Sequence, residues 1–68
     1  MLTPYEISQR FCCFKYKLIG KEEQGISFDL YETRSKAIKK KIEWERLAPE
    51  NRAKVFQPKE VKMWYNYN

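Results

Sequence analysis

The residues of this chain best suited to chemistry are aromatic rings and lysines that alternate along predicted strands. Residues two apart on a strand share one face of a sheet. By that rule, one predicted face carries Phe11, Cys13, Lys15, Lys17, Tyr31, Lys62 and Trp64. Aromatic rings stack on nucleobases and lysines neutralise phosphates, so this composition favours nucleic-acid binding. We expect the three rings to stack and the three lysines to contact phosphates.

Two other interpretations of this face remain open. A short N-terminal helix could fold over it and bury Phe11 and Trp64 in the core. Alternatively, the face could dock a protein partner, because aromatic side chains with few acidic neighbours suit the centre of an interface.

A second basic surface lies on the predicted long helix. Lys36, Lys39 and Lys40 occupy its outer face and could add phosphate contacts. A solvated helix face with i,i+4 ion pairs accounts for the same residues without a ligand. In the predicted fold these lysines face away from the sheet surface, so one ligand could not easily touch both.

The sequence contains no catalytic motif. It has no histidine, the usual base near neutral pH, and its two glycines form no phosphate-binding loop. Cys12 and Cys13 are adjacent, so on a strand they point to opposite faces and would form a strained disulfide. We therefore expect no catalytic residue, no metal, no cofactor and no small-molecule substrate. Reduced thiols, one of them in the core, predict a cytoplasmic protein.

Size and charge favour a small binding domain. A chain of 68 residues makes a single domain in which a deep substrate cavity is hard to build, and a homodimer would supplement its core. The net charge of +5 is uneven: residues 1–32 hold four Lys or Arg and five Asp or Glu, whereas residues 33–68 hold ten and four. A basic half suits phosphates or acidic proteins, although charge also serves solubility alone. Without an apolar run near the roughly 18 residues of a membrane span, we expect no membrane partner.

The first elements are predicted to be a helix and a hairpin. Thr3 and Glu6 form a capping pattern around Pro4, where the helix begins. Residues 11–19 fit a helical face and a strand face equally well, and their dense Phe, Tyr and Ile favour a strand. A polar loop over residues 20–25 leads to a second strand. The predicted register pairs Phe14 with Leu30, Tyr16 with Phe28, Leu18 with Ile26 and Lys15 with Asp29.

The second half is predicted to add a helix and a third strand. Thr33 caps a helix that ends near Leu47 before Pro49, and Ala37 and Trp44 belong to its apolar face. Residues 60–67 alternate as a strand, and residues 55 and 56 are apolar plugs in the connection. This gives an α+β domain of order α-β-β-α-β, with strand order 2-1-3. The long helix packs on the sheet face that holds Phe14, Tyr16 and Leu18.

A hairpin followed by a Tyr-x-Thr-x-x-x-Ala helix (Tyr31 to Ala37) and a strand resembles the layout of small phage accessory proteins. Some of those proteins bind DNA, and others inhibit host polymerases or nucleases. The resemblance implies a non-catalytic binding protein whose partner is nucleic acid, a nucleic-acid-handling complex or a host enzyme that the chain inhibits or adapts.

Overall fold

Within the described part of the chain, the fold consists of three strands and three helices. The structure is a computed structural model that describes residues 2–65. Its elements are α1 (Pro4–Ser8), β1 (Phe11–Ile19), β2 (Glu22–Tyr31), α2 (Arg34–Leu47), β3 (Asn51–Phe56) and α3 (Pro58–Tyr65). The strands form one antiparallel sheet in the order β2-β1-β3. The predicted α+β class, the order of the first five elements and the strand order are confirmed.

The first two elements lie where the sequence predicts them. Thr3 caps α1, because its hydroxyl oxygen accepts a hydrogen bond from the Glu6 backbone N–H at 3.2 Å. Pro4 lies in the first turn, where its missing N–H does no harm. Residues 11–19 form β1, so the ambiguous segment is a strand.

The hairpin is tighter than predicted, and this changes its register. The turn is two residues long and begins at Gly20, whose φ of +67° suits glycine. Gly25, with φ +65°, lies in β2 where the register shifts at a bulge. As a result Phe14 lies opposite Phe28 rather than Leu30. Up to Lys15, this shift of two residues changes the partners but leaves each side chain on the same face. Beyond the bulge the shift is three residues, and Leu18 lies opposite Glu23 rather than Ile26.

The third strand and the last helix differ from the prediction. β3 is Asn51–Phe56, a segment predicted as a connection, and residues 60–65 of the predicted strand belong to α3. Pro58 begins this helix, and the Glu60 carboxylate accepts a hydrogen bond from the Gln57 N–H at 3.0 Å. The Pro-x-Glu pattern that starts α1 thus recurs at α3, and it outweighs the apolar alternation. Residues 66 and 67 lie outside the described part of the chain.

Two clusters of buried side chains hold the helices on opposite faces of the sheet. On one face α2 packs over Cys13 and Ala53 through Ala37. On the other face α1 and α3 pack against each other and the sheet, burying Ile7, Cys12 and Val61. Because adjacent strand residues point to opposite faces, the two cysteines belong to different clusters. Both thiols are buried, not one as predicted.

The long helix covers the opposite face from the one predicted. Side-chain size explains the choice. Cys13 and Ala37 are 0% exposed and Ala53 is 8% exposed, so small side chains let the helix approach the sheet closely. The bulkier face of Phe14 is left to the two short helices.

Candidate nucleic-acid interface

The structure does not bring the predicted sheet residues into one open surface. Phe11 and Tyr31 are half-buried, and both pack beneath α2 against the cluster around Cys13. The face predicted to be open is therefore the one that α2 covers. The alternative that α1 buries Phe11 and Trp64 in the core is also wrong in its details, because α2 is the helix that covers Phe11, and Trp64 is 43% exposed.

Lys15 is held by neighbours on this covered face. Its Nζ donates a hydrogen bond to Asp29 Oδ2 at 2.7 Å and lies 5.5 Å from the centroid of the Trp44 ring. The hydrogen bond to Asp29 is the main cause that raises the pKa of Lys15 above its ordinary value. The sequence predicts this ion pair, although the two residues are diagonal rather than directly opposite. Lys15 therefore stabilises the fold and is a poor phosphate ligand.

The other predicted residues of the sheet surface are also separated. Lys17 lies on the covered face, where its Nζ is 3.8 Å from Glu50 Oε1. Lys62 and Trp64 lie on α3, not on a strand. Residues two apart share a face on a strand but point about 160° apart on a helix. Lys62 and Trp64 therefore point to different sides of α3, and only Trp64 joins the ring cluster described below.

The lysines of α2 do meet one of the predicted rings. A groove of about 190 Å³ between β2 and α2 is lined by Tyr31, Lys36, Lys39, Lys40 and Glu43. The expected separation of these lysines from the sheet surface is therefore wrong for Tyr31, because α2 covers the face of that ring. Lys36 pairs with Glu32 at 3.6 Å and Lys40 with Glu43 at 3.2 Å. These carboxylates offset part of the positive charge of the groove.

Four rings form a cluster on the opposite face of the sheet, and we call Phe14, Phe28, Phe56 and Trp64 the aromatic platform. Phe14 lies at its centre, with ring-centroid distances of 6.5 Å to Phe28, 6.3 Å to Phe56 and 6.1 Å to Trp64. Phe28 and Trp64 are 44% and 43% exposed. The platform therefore presents aromatic surface to solvent across all three strands and α3.

Two cations flank the aromatic platform on β3. Arg52 and Lys54 alternate with the buried residues of this strand, so both are exposed on the platform side. The Lys54 Nζ lies 5.0 Å from the centroid of the Phe56 ring. The Arg52 Nη1 donates to two backbone carbonyl oxygens, each at 2.7 Å, which fixes the guanidinium near the start of β3. Rings and cations are thus combined on one face, as predicted, but with different residues.

A groove lies at the α3 edge of the aromatic platform. It has a volume of about 350 Å³ and is lined by Phe56, Glu60, Met63 and Trp64. The Phe56 and Trp64 rings meet edge to face, with centroids 4.6 Å apart. Met63 is 66% exposed, and among the described residues that line the groove, Glu60 supplies the one carboxylate beside three apolar side chains.

The two thiols offer little nucleophilic chemistry. Burial raises the pKa of Cys12 to about 11 and also raises the pKa of Cys13. A thiol reacts as its thiolate, so these buried groups are weakly reactive near neutral pH. Within residues 2–65 no three His, Cys, Asp or Glu side chains cluster to hold a metal ion.

Comparisons with known proteins do not identify a relative of this chain. Neither protein-family models, nor curated proteins, nor solved structures give a match to the chain. In the described part of the chain, each helix is too short or too polar to cross a membrane.

Sequence reasoning missed Phe14 and Phe28 as surface residues because it put α2 over the bulkier face, and it missed Lys54 because it treated the segment of β3 as a connection. The size of the side chains on each face is the signal that could have identified the exposed rings. Cys13 and Ala53 mark the face that a helix can approach closely, whereas rings on the other face hold a helix away.

Proposed function

We propose that this protein binds single-stranded nucleic acid without catalysing a reaction, through the aromatic platform and the cations of β3. The observation that carries the proposal is the exposure of Phe28 and Trp64 beside Arg52 and Lys54 on one sheet face. Bases of an extended strand would stack on the rings while the cations contact phosphates.

Energy estimates favour a combined mode of binding. Two stacked bases contribute about 2–6 kcal/mol. A micromolar complex requires roughly 8 kcal/mol. Stacking alone therefore falls short, and the phosphate contacts of Arg52 and Lys54 are needed for useful affinity. The net charge of +5 supports a contribution from phosphate contacts, because a positive protein attracts a polyanion.

Salt dependence tests the proposal directly. For single strands, log K falls with log salt at a slope of about −0.7 per phosphate contacted. With two or three phosphates, we expect binding of a labelled ten-nucleotide oligothymidylate to weaken about 7- to 18-fold between 50 and 200 mM salt. Fluorescence anisotropy measures this.

A pair of matched lysine variants locates the site. We expect Lys54→Gln to weaken binding and to make the salt slope about 0.7 less negative. Lys39→Gln removes one exposed charge on α2, on the other side of the sheet, and should leave both quantities nearly unchanged. If Lys39→Gln weakens binding and Lys54→Gln does not, the α2 groove is the site instead. Absence of any binding at 50 mM salt would reject the function.

A protein partner is the second candidate, in the role of an inhibitor or adaptor of another enzyme. The exposure of Met63 and Trp64 beside an apolar groove favours it, because such side chains are common at interface centres. This mode predicts that Trp64→Ala abolishes capture of a protein from nuclease-treated extract, with little dependence on salt.

A further inference from the structure

The groove at the edge of the aromatic platform is large enough to hold one planar ring. Its volume of about 350 Å³ lies at the lower end of the range for ligand pockets, roughly 300–1,000 Å³. Phe56 and Trp64 meet edge to face and supply aromatic surface, while Met63 supplies a polarisable flank. A strand that stacks on the platform would reach this groove at the α3 side.

Glu60 gives the groove its polar character. Its Oε2 accepts a hydrogen bond from the Gln57 N–H at 3.0 Å, which holds the carboxylate at the first turn of α3. Among residues 2–65, no Lys or Arg forms an ion pair with Glu60 within 4.0 Å. A carboxylate only accepts hydrogen bonds and has several lone pairs, so its remaining capacity is for donors of a ligand.

We propose that this groove binds a guanine base of the single strand and gives the protein a preference for guanine, an inference that rests on the proposed function. The Watson–Crick edge of guanine carries two adjacent donors, N1–H and the N2 amino group, which match the two oxygens of a carboxylate. Adenine and cytosine present one amino group beside a ring nitrogen that repels a carboxylate. Thymine presents one N–H between two carbonyl oxygens. Guanine is the base that fits Glu60.

The surroundings favour a nucleotide over an arginine side chain, which could also pair with Glu60. Lys59 is exposed next to Glu60, and Lys54 lies over Phe56 at 5.0 Å. These cations attract the phosphate of a nucleotide and repel the guanidinium group of an arginine.

The test compares single-base changes in one oligonucleotide. Three ten-nucleotide oligothymidylates, each with one central guanine, adenine or cytosine, are compared with the unsubstituted strand by anisotropy. A bidentate pair of hydrogen bonds to a base discriminates by about 1–3 kcal/mol. We expect at least a fivefold tighter complex for the guanine strand and similar affinities for the other three.

Glu60→Gln tests the group responsible. Glutamine keeps an oxygen for the Gln57 N–H but replaces one acceptor with a donor. We expect the guanine preference to disappear while all four strands still bind, the three without guanine somewhat more tightly because a negative charge beside the phosphates is lost. Glu43→Gln, which alters an exposed carboxylate on α2, should keep the preference.

The outcomes separate this inference from the function on which it rests. Equal binding of all four strands, or a guanine preference that survives in Glu60→Gln, overturns the inference and leaves the proposed function standing. Failure of all four strands to bind rejects the function itself.

Discussion

The two faces of the sheet differ in the size of their side chains, and this difference divides their roles. Small residues lie where α2 contacts the sheet, Cys13 and Ala53 on the strands and Ala37 on the helix, and they are almost completely buried. The opposite face carries large rings, and two of them, Phe28 and Trp64, keep more than two fifths of their surface exposed. Close packing on the first face stabilises the fold, while the second face exposes aromatic surface to solvent.

The same contrast applies to charge. On the covered face, Lys15 and Asp29 pair at 2.7 Å, and the Lys41–Glu45 pair at 2.9 Å lies beside β3, where Glu45 accepts the Ala53 N–H at 3.2 Å. On the platform side, Lys54 contacts the face of a ring. These charges on the α2 side are paired within the protein, whereas Lys54 on the platform side is exposed and lies over a ring.

The largest predicted effect comes from adding bulk to the covered face. Ala53→Leu inserts carbons where α2 approaches most closely, and we expect the free energy of unfolding to fall by about 1–3 kcal/mol. For a domain of this size the melting temperature should fall by roughly 4–8 °C per kcal/mol. Calorimetry or circular dichroism measures the shift.

The neighbouring residue on β3 provides the matched control. Lys54→Leu adds an apolar side chain on the exposed face and should change the free energy of unfolding by less than about 0.5 kcal/mol. Equal losses from the two variants would contradict the difference between the faces.

A smaller effect is predicted in alkaline solution, where the buried thiols resist ionisation. Burial raises the pKa of Cys12 from 9.0 to about 11, so in the folded state the thiol keeps its proton where the unfolded chain loses it. The resulting stability is fully present below pH 9 and is lost as pH rises through about 11. We expect the urea midpoint to decline across this window.

Cys12→Ala identifies the source of that decline. The variant should have a lower midpoint at pH 7 because it leaves a small cavity, but a shallower decline between pH 9 and 11. Cys13, Lys15 and Tyr31, whose pKa values are also raised, contribute to the remaining slope. Identical slopes in the variant and the wild type would show that Cys12 ionises freely in the folded protein.

Local patterns in the sequence predict β1, α2 and the first helix, but not the packing of the layers. Thr3 and Thr33 cap their helices by accepting a hydrogen bond from the backbone N–H three residues later. Because these contacts are local, the sequence around each threonine is enough to predict them. The choice of face for α2 depends on how closely a helix can approach Cys13 and Ala53, a property of the assembled sheet. The apolar alternation alone predicts that α2 packs on the ring-rich face of the sheet, and this prediction is wrong.

The candidate site was predictable in kind but not in its residues. An alternation of rings and cations on one sheet face is visible in the sequence, and the platform has that composition. Trp64 is the one predicted ring that belongs to it. The error at residues 60–65 came from apolar alternation, which also fits one side of a short helix when Pro58 and Glu60 mark its start.

The central claim is tested most directly by comparing the two tryptophans, which lie on opposite faces. Trp44 lies on α2 and packs against the covered face of the sheet, and Trp64 belongs to the aromatic platform. Trp44→Phe and Trp64→Phe each leave one reporter, and the Trp44 change is mild because its indole N–H is buried without a partner among the described residues. Titration with single-stranded oligonucleotide should quench the fluorescence of Trp64 and leave that of Trp44 nearly unchanged. Quenching of Trp44 alone, or of neither tryptophan at saturating oligonucleotide, would contradict the account.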